Sequence, residues 1–262
     1  MMPLPVCLSI AGSDSGAAAG VQADTLTFSA FGVYAVNAIT CVTAQNPKKI
    51  FDVEPLSADV VLGQIKALKE YYSIGAVKTG MLLSKQNILA VSQSFKYADV
   101  PLVLDPVMVS TSGRCLLEKE ALGVLTEKLF PCAKLVTPNL DEVEVLLGFR
   151  PSSEDEMVDV ANSLVEEYGV AFLVKGGHLD TSELVDVLKE PGCERVIFRA
   201  DSISDVDTHG SGCTLASAIA SGLSKEESLL DSVRMAHGYL QKALKKPLYI
   251  NDQAFINHGV RP

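Results

Sequence analysis

The sequence predicts an α/β protein, a three-layer αβα sandwich around a mostly parallel central sheet. Three observations predict it. Short runs of Val, Ile and Leu recur along the 262 residues without strict alternation, as in strands buried on both faces. Segments of helical period stand between them, and this alternation implies crossovers joining parallel neighbours. Polar residues gather directly after the apolar runs, where open α/β sheets bind ligands.

The first run, VCLSI at 6–10, is followed by Gly12, Ser13 and Asp14 and then by a small-residue loop in AGSDSGAAAGVQAD (11–24), which leads into a helix containing Asp24. The loop is not a GxGxxG fingerprint, because Ala17, Ala18 and Ala19 fill the glycine region, and no GxxxxGK[ST] occurs anywhere. Such a loop makes room for a flat ligand. Its alanines stand to narrow that room, or to oppose a backbone with positive φ.

The uncharged stretch from Thr25 to Pro47 is long enough to span a bilayer. Ser29, Asn37 and Thr40 interrupt it, and Gly32 parts two differently patterned halves. It reads as a helix followed by a buried strand, VNAITCVTA at 36–44, which ends at Gln45 and Asn46. A helical segment then runs over Ser57–Tyr71, before GAVKTGM at 75–81 with Thr79 and Gly80 at its end. Ser84–Phe95 is helical, and PLVLDPVM at 101–108 carries Asp105.

Lys119–Lys128 is a further helix, and KLVTPN at 134–139 ends in Thr137 and Asn139. Helices follow over Leu140–Leu147 and Glu154–Tyr168, then the run AFLVKGG at 171–177 with Lys175. No Pro/Gly/Ser-rich linker or charge block divides the chain, which predicts one domain over residues 1–262.

With 22 Lys+Arg against 32 Asp+Glu the formal charge is -10, which repels a polyanion and argues against nucleic acid as partner. Any bound phosphate has to be held by a local device. No Lys or Arg precedes Lys48, so the apolar N-terminus lacks the positive region of a secretory signal. The expectation is a cytoplasmic protein without a membrane partner. Cysteines at 7, 41, 115, 132, 193 and 213 form no Cys-x-x-Cys pair and no zinc spacing, so all but Cys213 read as core thiols in a reducing compartment.

The local device is DTHGSGCTLASAIASGL at 207–223, where a glycine-punctuated turn opens into a small-residue helix. Unsatisfied N–H groups and a partial positive charge at a helix start suit a phosphate, although ordinary capping of a tight turn explains the same pattern. Cys213 falls in the first helical turn, where the positive end lowers a thiol's pKa. The role this suggests is acceptance or orientation of the proton of a substrate hydroxyl. His209, beside it, reads as a turn residue rather than the base.

In TPNLDEVEVLLG (137–148), Asn139 and Glu142 share one helix face, where they suit a hydrated Mg²⁺ on ATP or, equally, a capping box. Asp105 suits magnesium and Lys175 the charge of a transferring phosphoryl group, or each is a structural ion.

In this order, AGSDSGAAAGVQAD, CVTAQN, VKTGM, LDPVM, TPNLDEVEVL, VKGGH and THGSGCT resemble the hydroxymethylpyrimidine and phosphomethylpyrimidine kinases of thiamine synthesis, ribokinase-like proteins, from about residue 6 to residue 245. The resemblance implies a homodimeric kinase that uses ATP and Mg²⁺. It implies that Gln45 hydrogen-bonds the aminopyrimidine, with Gly12, Asp24, Met81 and Val107 around the ring. It further implies that Asp105 and Glu142 serve the metal, Asn139, Lys175 and Thr208 the ATP phosphates, and Gly210, Ser211, Gly212 and Cys213 the anion hole and thiol. Two substitutions depart from the family pattern, SGAAAG for a glycine-richer loop and GSGC for GTGC. The rival readings are a pyridoxal kinase and a non-catalytic module of the same fold.

Overall fold

The computed structural model describes residues 4–109, 116–118, 120–177, 183–203 and 206–262. In chain order the elements are β1 (Val6–Asp14), α1 (Gly20–Ala30), β2 (Tyr34–Asn46), β3 (Lys49–Pro55), α2 (Ala58–Tyr71), β4 (Ile74–Thr79), α3 (Lys85–Phe95) and β5 (Leu102–Leu104). There follow α4 (Ala121–Val124), β6 (Leu135–Val136), α5 (Leu140–Leu147), α6 (Glu154–Tyr168), β7 (Ala171–Lys175), β8 (Glu183–Lys189), β9 (Val196–Asp201), α7 (Ser211–Leu223) and α8 (Leu229–Lys245). A two-stranded hairpin, β10 (Leu248–Ile250) with β11 (Gln253–Phe255), ends the chain.

Among the described residues nine strands form one sheet in the order β3-β2-β1-β4-β5-β6-β7-β8-β9. The six from β2 to β7 are parallel. The margins β3, β8 and β9 are antiparallel, joined by hairpins that the apolar runs did not announce.

Strand side chains alternate between two buried clusters, which is why the runs lack polar alternation. Leu8, Val77, Leu102, Leu104, Phe172 and Val174 face the layer made by α2, α3, α5 and α6. Cys7, Ala76, Val103, Ala171 and Leu173 face α1, α7 and α8. The predicted three layers are present. The stretch Thr25–Pro47 divides as expected, with Gly32 at φ +67° between helix and strand.

Ser57, Ser84, Ser153 and Ser228 cap α2, α3, α6 and α8, each hydroxyl accepting a backbone N–H of the first turn. The helix expected over Lys119–Lys128 is shorter. After Val124 the backbone widens to a π turn over Leu125–Leu129 and tightens to a 3₁₀ turn over Phe130–Cys132, where Pro131 supplies no N–H for an α ladder. No helix among the described residues is long and apolar enough to cross a membrane.

Candidate active site

The chain runs from β1 outward to β2 and β3 and returns to β4 on the other side of β1. Such a switch point opens a crevice at the carboxyl ends of the strands. A cleft of about 380 Å³ lies there, a size that suits a small ligand. Gly12 and Met81 face each other across the switch: a Cβ at Gly12 would stand 2.7 Å from Met81 Cε. Gln45, from β2, and Val107, beyond β5, line the same end.

The loop after β1 is built on Asp14. Its carboxylate accepts the N–H groups of Gly16 (2.7 Å), Ala18 (3.1 Å) and Ala19 (2.9 Å). Burial would raise its pKa, but the nearby His209 ring and these N–H groups win and hold it below the usual value. Ala17 adopts φ +60° and is exposed, outside the cleft wall. The substituted loop therefore accepts a left-handed alanine, and of the three alanines only Ala19 lines the cleft.

The glycine turn fits against this loop. Gly210 has φ +84°, and a Cβ there would collide with the carbonyl oxygen of Ala18, so only glycine serves. Ser211 begins α7, and Thr208, Ser211 and Gly212 line the cleft with Cys213. The sequence expectation for Cys213 is overturned in one respect. Burial pushes its thiol up to about 11, opposing rather than following the helix end; Lys78 pulls it down, Asp24 and Asp105 push it up, and the Gly20 N–H pulls it down. At this half-buried position the desolvation cost of a thiolate outweighs the partial charge of a helix terminus.

Asp24 is the predicted ring residue that the structure places elsewhere. It is fully buried and does not line the cleft. Lys78 Nζ lies 2.8 and 3.0 Å from its two oxygens, Ser217 Oγ donates at 2.8 Å and Ser9 Oγ at 2.5 Å. It anchors α1 to β1, β4 and α7, because a buried carboxylate takes the nearest buried cation as partner. Lys78 was missed. A lone lysine in the apolar run IGAVKT was its signal, since a lysine is seldom buried unpaired. Burial would lower its pKa, but Asp24, Cys213 and Asp105 together outweigh burial and raise it.

Beyond β5 to β7 stands a second charged group. Lys175 Nζ donates to Asp105 Oδ1 at 2.9 Å, and Thr137 Oγ1 donates to the same oxygen at 3.2 Å. A Cβ at Gly212 would stand 3.2 Å from Lys175 Nζ, which puts this ammonium beside the glycine turn. Asn139 and Glu142 make the capping box in full: Asn139 Oδ1 accepts Glu142 N–H at 2.9 Å and Glu142 Oε2 accepts Asn139 N–H at 2.8 Å. Both also line the cleft.

Burial lifts Glu142 from 4.5 to about 8; Lys175 pulls it down and Asp105 pushes it further up. Lys175 is raised, because Asp105 and Glu142 outweigh the effect of burial. Among the described residues no group of three His, Cys, Asp or Glu is arranged to hold a metal. Two carboxylates of hard oxygen donors nevertheless fit a magnesium ion that keeps its remaining positions for water and phosphate.

The far wall comes from β8 and α8, where no sequence motif pointed. Leu184, Leu240 and Leu244 are apolar there, and His237 Nε2 meets Asp186 Oδ2 at 2.7 Å. Of four further cysteines, Cys7 and Cys41 are buried as the core reading expects, Cys132 is half-buried and Cys193 is exposed, against that reading; all are free. Cys115 and His178 of VKGGH lie outside the described residues.

One cleft is lined by Gly12, Gln45 and Met81, by the glycine turn at Gly210–Gly212, and by Leu240 and Leu244, room of the kind a donor and a small acceptor need to meet. This is a small-molecule kinase of the ribokinase-like kind. The chain belongs to the phosphomethylpyrimidine kinase family, whose model matches residues 14–258. It is 42% identical over 240 residues to the hydroxymethylpyrimidine/phosphomethylpyrimidine kinase of Rhizobium meliloti, covering 91% of this chain and 90% of that one. The phosphomethylpyrimidine kinase of Clostridium difficile is similar in structure, with TM-score 0.80 and 38% identity over 92% of this chain and 99% of that one. An ADP complex of Bacillus subtilis pyridoxal kinase is similar with TM-score 0.89 and 30% identity over 98% of each chain.

Proposed function

We propose that the chain transfers the γ-phosphoryl group of ATP to the hydroxymethyl group of 4-amino-5-hydroxymethyl-2-methylpyrimidine, and then phosphorylates the monophosphate to the diphosphate, in thiamine biosynthesis. The observation that carries this reading is that Gln45, suited to an aminopyrimidine edge, and Cys213, in the anion turn, line one cleft.

The ring lies between Gly12, Met81 and Val107, with the hydroxymethyl arm toward Cys213. N–H groups of Gly210 to Gly212 receive phosphate oxygens, Lys175 neutralises charge on the transferring group, and Thr208 and Asn139 assist at the ATP phosphates. Asp105 and Glu142 would hold Mg²⁺, which when bound neutralises the phosphates and fixes them for in-line transfer. Because the Cys213 thiol sits at about 11, it is mostly protonated at neutral pH. Its thiolate, supported by Lys78 and the Gly20 N–H, takes the alcohol proton as the new O–P bond forms.

Steady-state kinetics of Cys213→Ala with both acceptors test this. The alcohol step should lose ~10²-fold or more, as removal of a general base does, whereas the monophosphate is already anionic and should lose little. Equal losses would exclude Cys213 as the base.

The backbone likeness to pyridoxal kinases favours a second reading, phosphorylation of pyridoxal. A higher kcat/KM for pyridoxal than for the aminopyrimidine would replace the first reading with the second.

A further inference from the structure

Gln45 has a partner that the pyrimidine reading does not use. Its Nε2 lies 2.9 Å from Nε2 of His209, which arrives from the turn before α7, 164 residues away in sequence. Both backbones are pinned, Gln45 N–H by Ser15 Oγ at 2.8 Å and His209 N–H by Asp207 Oδ1 at 2.9 Å. Both side chains line the cleft. Asp14 Oδ2 lies 3.8 Å from the same His209 nitrogen, beyond hydrogen-bond distance, and is occupied by the Ala18 and Ala19 N–H groups.

A carboxamide nitrogen only donates, so in this arrangement His209 Nε2 accepts and the ring proton sits on Nδ1. Gln45 has a second amide hydrogen and Oε1 left over. One donor beside one acceptor is what an N–C–NH₂ edge demands, since its ring nitrogen accepts and its amino group donates. Were Nε2 of His209 protonated, it would hold Gln45 Oε1 instead and turn the NH₂ toward the ligand. The amino group would then meet a donor.

We infer that His209 is a specificity-determining positioning residue, which accepts a hydrogen bond from Gln45 and so holds its carboxamide in the orientation that reads an amidine-type edge. The inference rests on the proposed function only in taking an aminopyrimidine as the ligand.

The test compares wild type, His209→Leu, His209→Gln, Gln45→Leu and the His209→Leu/Gln45→Leu double variant. Each is assayed with the aminopyrimidine and with its analogue lacking the 4-amino group. His209→Leu should raise KM for the aminopyrimidine by roughly 10-fold or more, as loss of a reading hydrogen bond does. Its kcat and its KM for ATP should stay near wild type, and its KM for the analogue, which keeps only the ring nitrogen, should rise clearly less than that for the aminopyrimidine. His209→Gln, whose Oε1 is able to accept from Gln45, should restore most of the KM, and the double variant should be no worse than Gln45→Leu. Equal losses on both acceptors, additive losses in the double variant, or no rescue by His209→Gln would overturn the inference.

¹⁵N spectra of histidine-labelled protein read the ring without substrate. An unprotonated Nε2 on His209, altered in Gln45→Leu, is expected, and a protonated Nε2 overturns the pairing. If wild type fails to turn over the aminopyrimidine, the proposed function falls, while the spectra still decide between the two amide orientations.

Discussion

Replacing Asp24 by alanine leaves Lys78 charged, fully buried and without its carboxylate. The two serine hydroxyls that donate to Asp24 lose their acceptor as well. Removal of one partner from a buried pair costs about 3–5 kcal/mol, most of it the desolvation of the stranded charge. Against a total stability on the order of 5–15 kcal/mol, that is a large fraction. Lys78→Met keeps the length of the side chain and removes the charge, but strands the carboxylate instead. The double variant strands neither ion, so it should be more stable than the sum of the single losses predicts by at least about 2 kcal/mol.

Urea unfolding of the four proteins near pH 7.5 measures this coupling. Because Asp24 raises the Lys78 pKa, the native state holds that proton more tightly than the unfolded chain does. The contribution is fully present below the ordinary lysine value of 10.5 and is lost only as pH rises through the folded value above it. Single losses that add to within about 0.5 kcal/mol of the double variant would refute the view that the two ions depend on each other.

Three further outcomes follow from the same geometry. With the Cys213 thiol at about 11, the thiolate fraction grows about tenfold per pH unit below that value. The kcat/KM for the alcohol should therefore climb from pH 6 to 9 while that for the monophosphate does not, and parallel profiles would count against Cys213 as base. Ala17→Gly relieves a left-handed alanine at φ +60°, worth about 1–2 kcal/mol, and frees the unfolded chain by about 0.4–1 kcal/mol. Thermal unfolding should show a gain between about 0 and 1.6 kcal/mol, and a loss would mean that the methyl group packs usefully. Glu142 is lifted from 4.5 to about 8, so its native state binds a proton more tightly than the unfolded chain. That stability is present below 4.5 and lost as pH rises through 8. From pH 5 to 8 the wild type should lose at least about 1 kcal/mol relative to Glu142→Gln, as denaturant titrations at each pH would read; identical pH profiles would place the titration elsewhere.

The parallel centre of the sheet was legible because burial on both faces writes itself into the apolar runs, and strand-end polar residues mark the cleft. The alanine loop was legible as small, but its effect was decided by the backbone: the left-handed strain falls on exposed Ala17 rather than on the ligand wall. The antiparallel margins, β3, β8 and β9, were not read, since pairing at an edge depends on a neighbour far along the chain. The wall made by Asp186, His237 and Leu240 was invisible for the same reason. No local pattern distinguishes a helix residue that faces a cleft from one that faces the core.

By itself the sequence determined the α/β class, the strand-end positions Gln45, Asp105, Asn139 and Lys175, and the glycine turn that opens onto Cys213. These are set by local period, by glycine and by helix-start chemistry, which act within a few residues. Only the tertiary structure decided which charges meet. It took Asp24 from the ring to Lys78, brought His209 to Gln45 and raised rather than lowered the Cys213 thiol. Electrostatics in a folded interior depends on distance and burial, and both are properties of the packed chain.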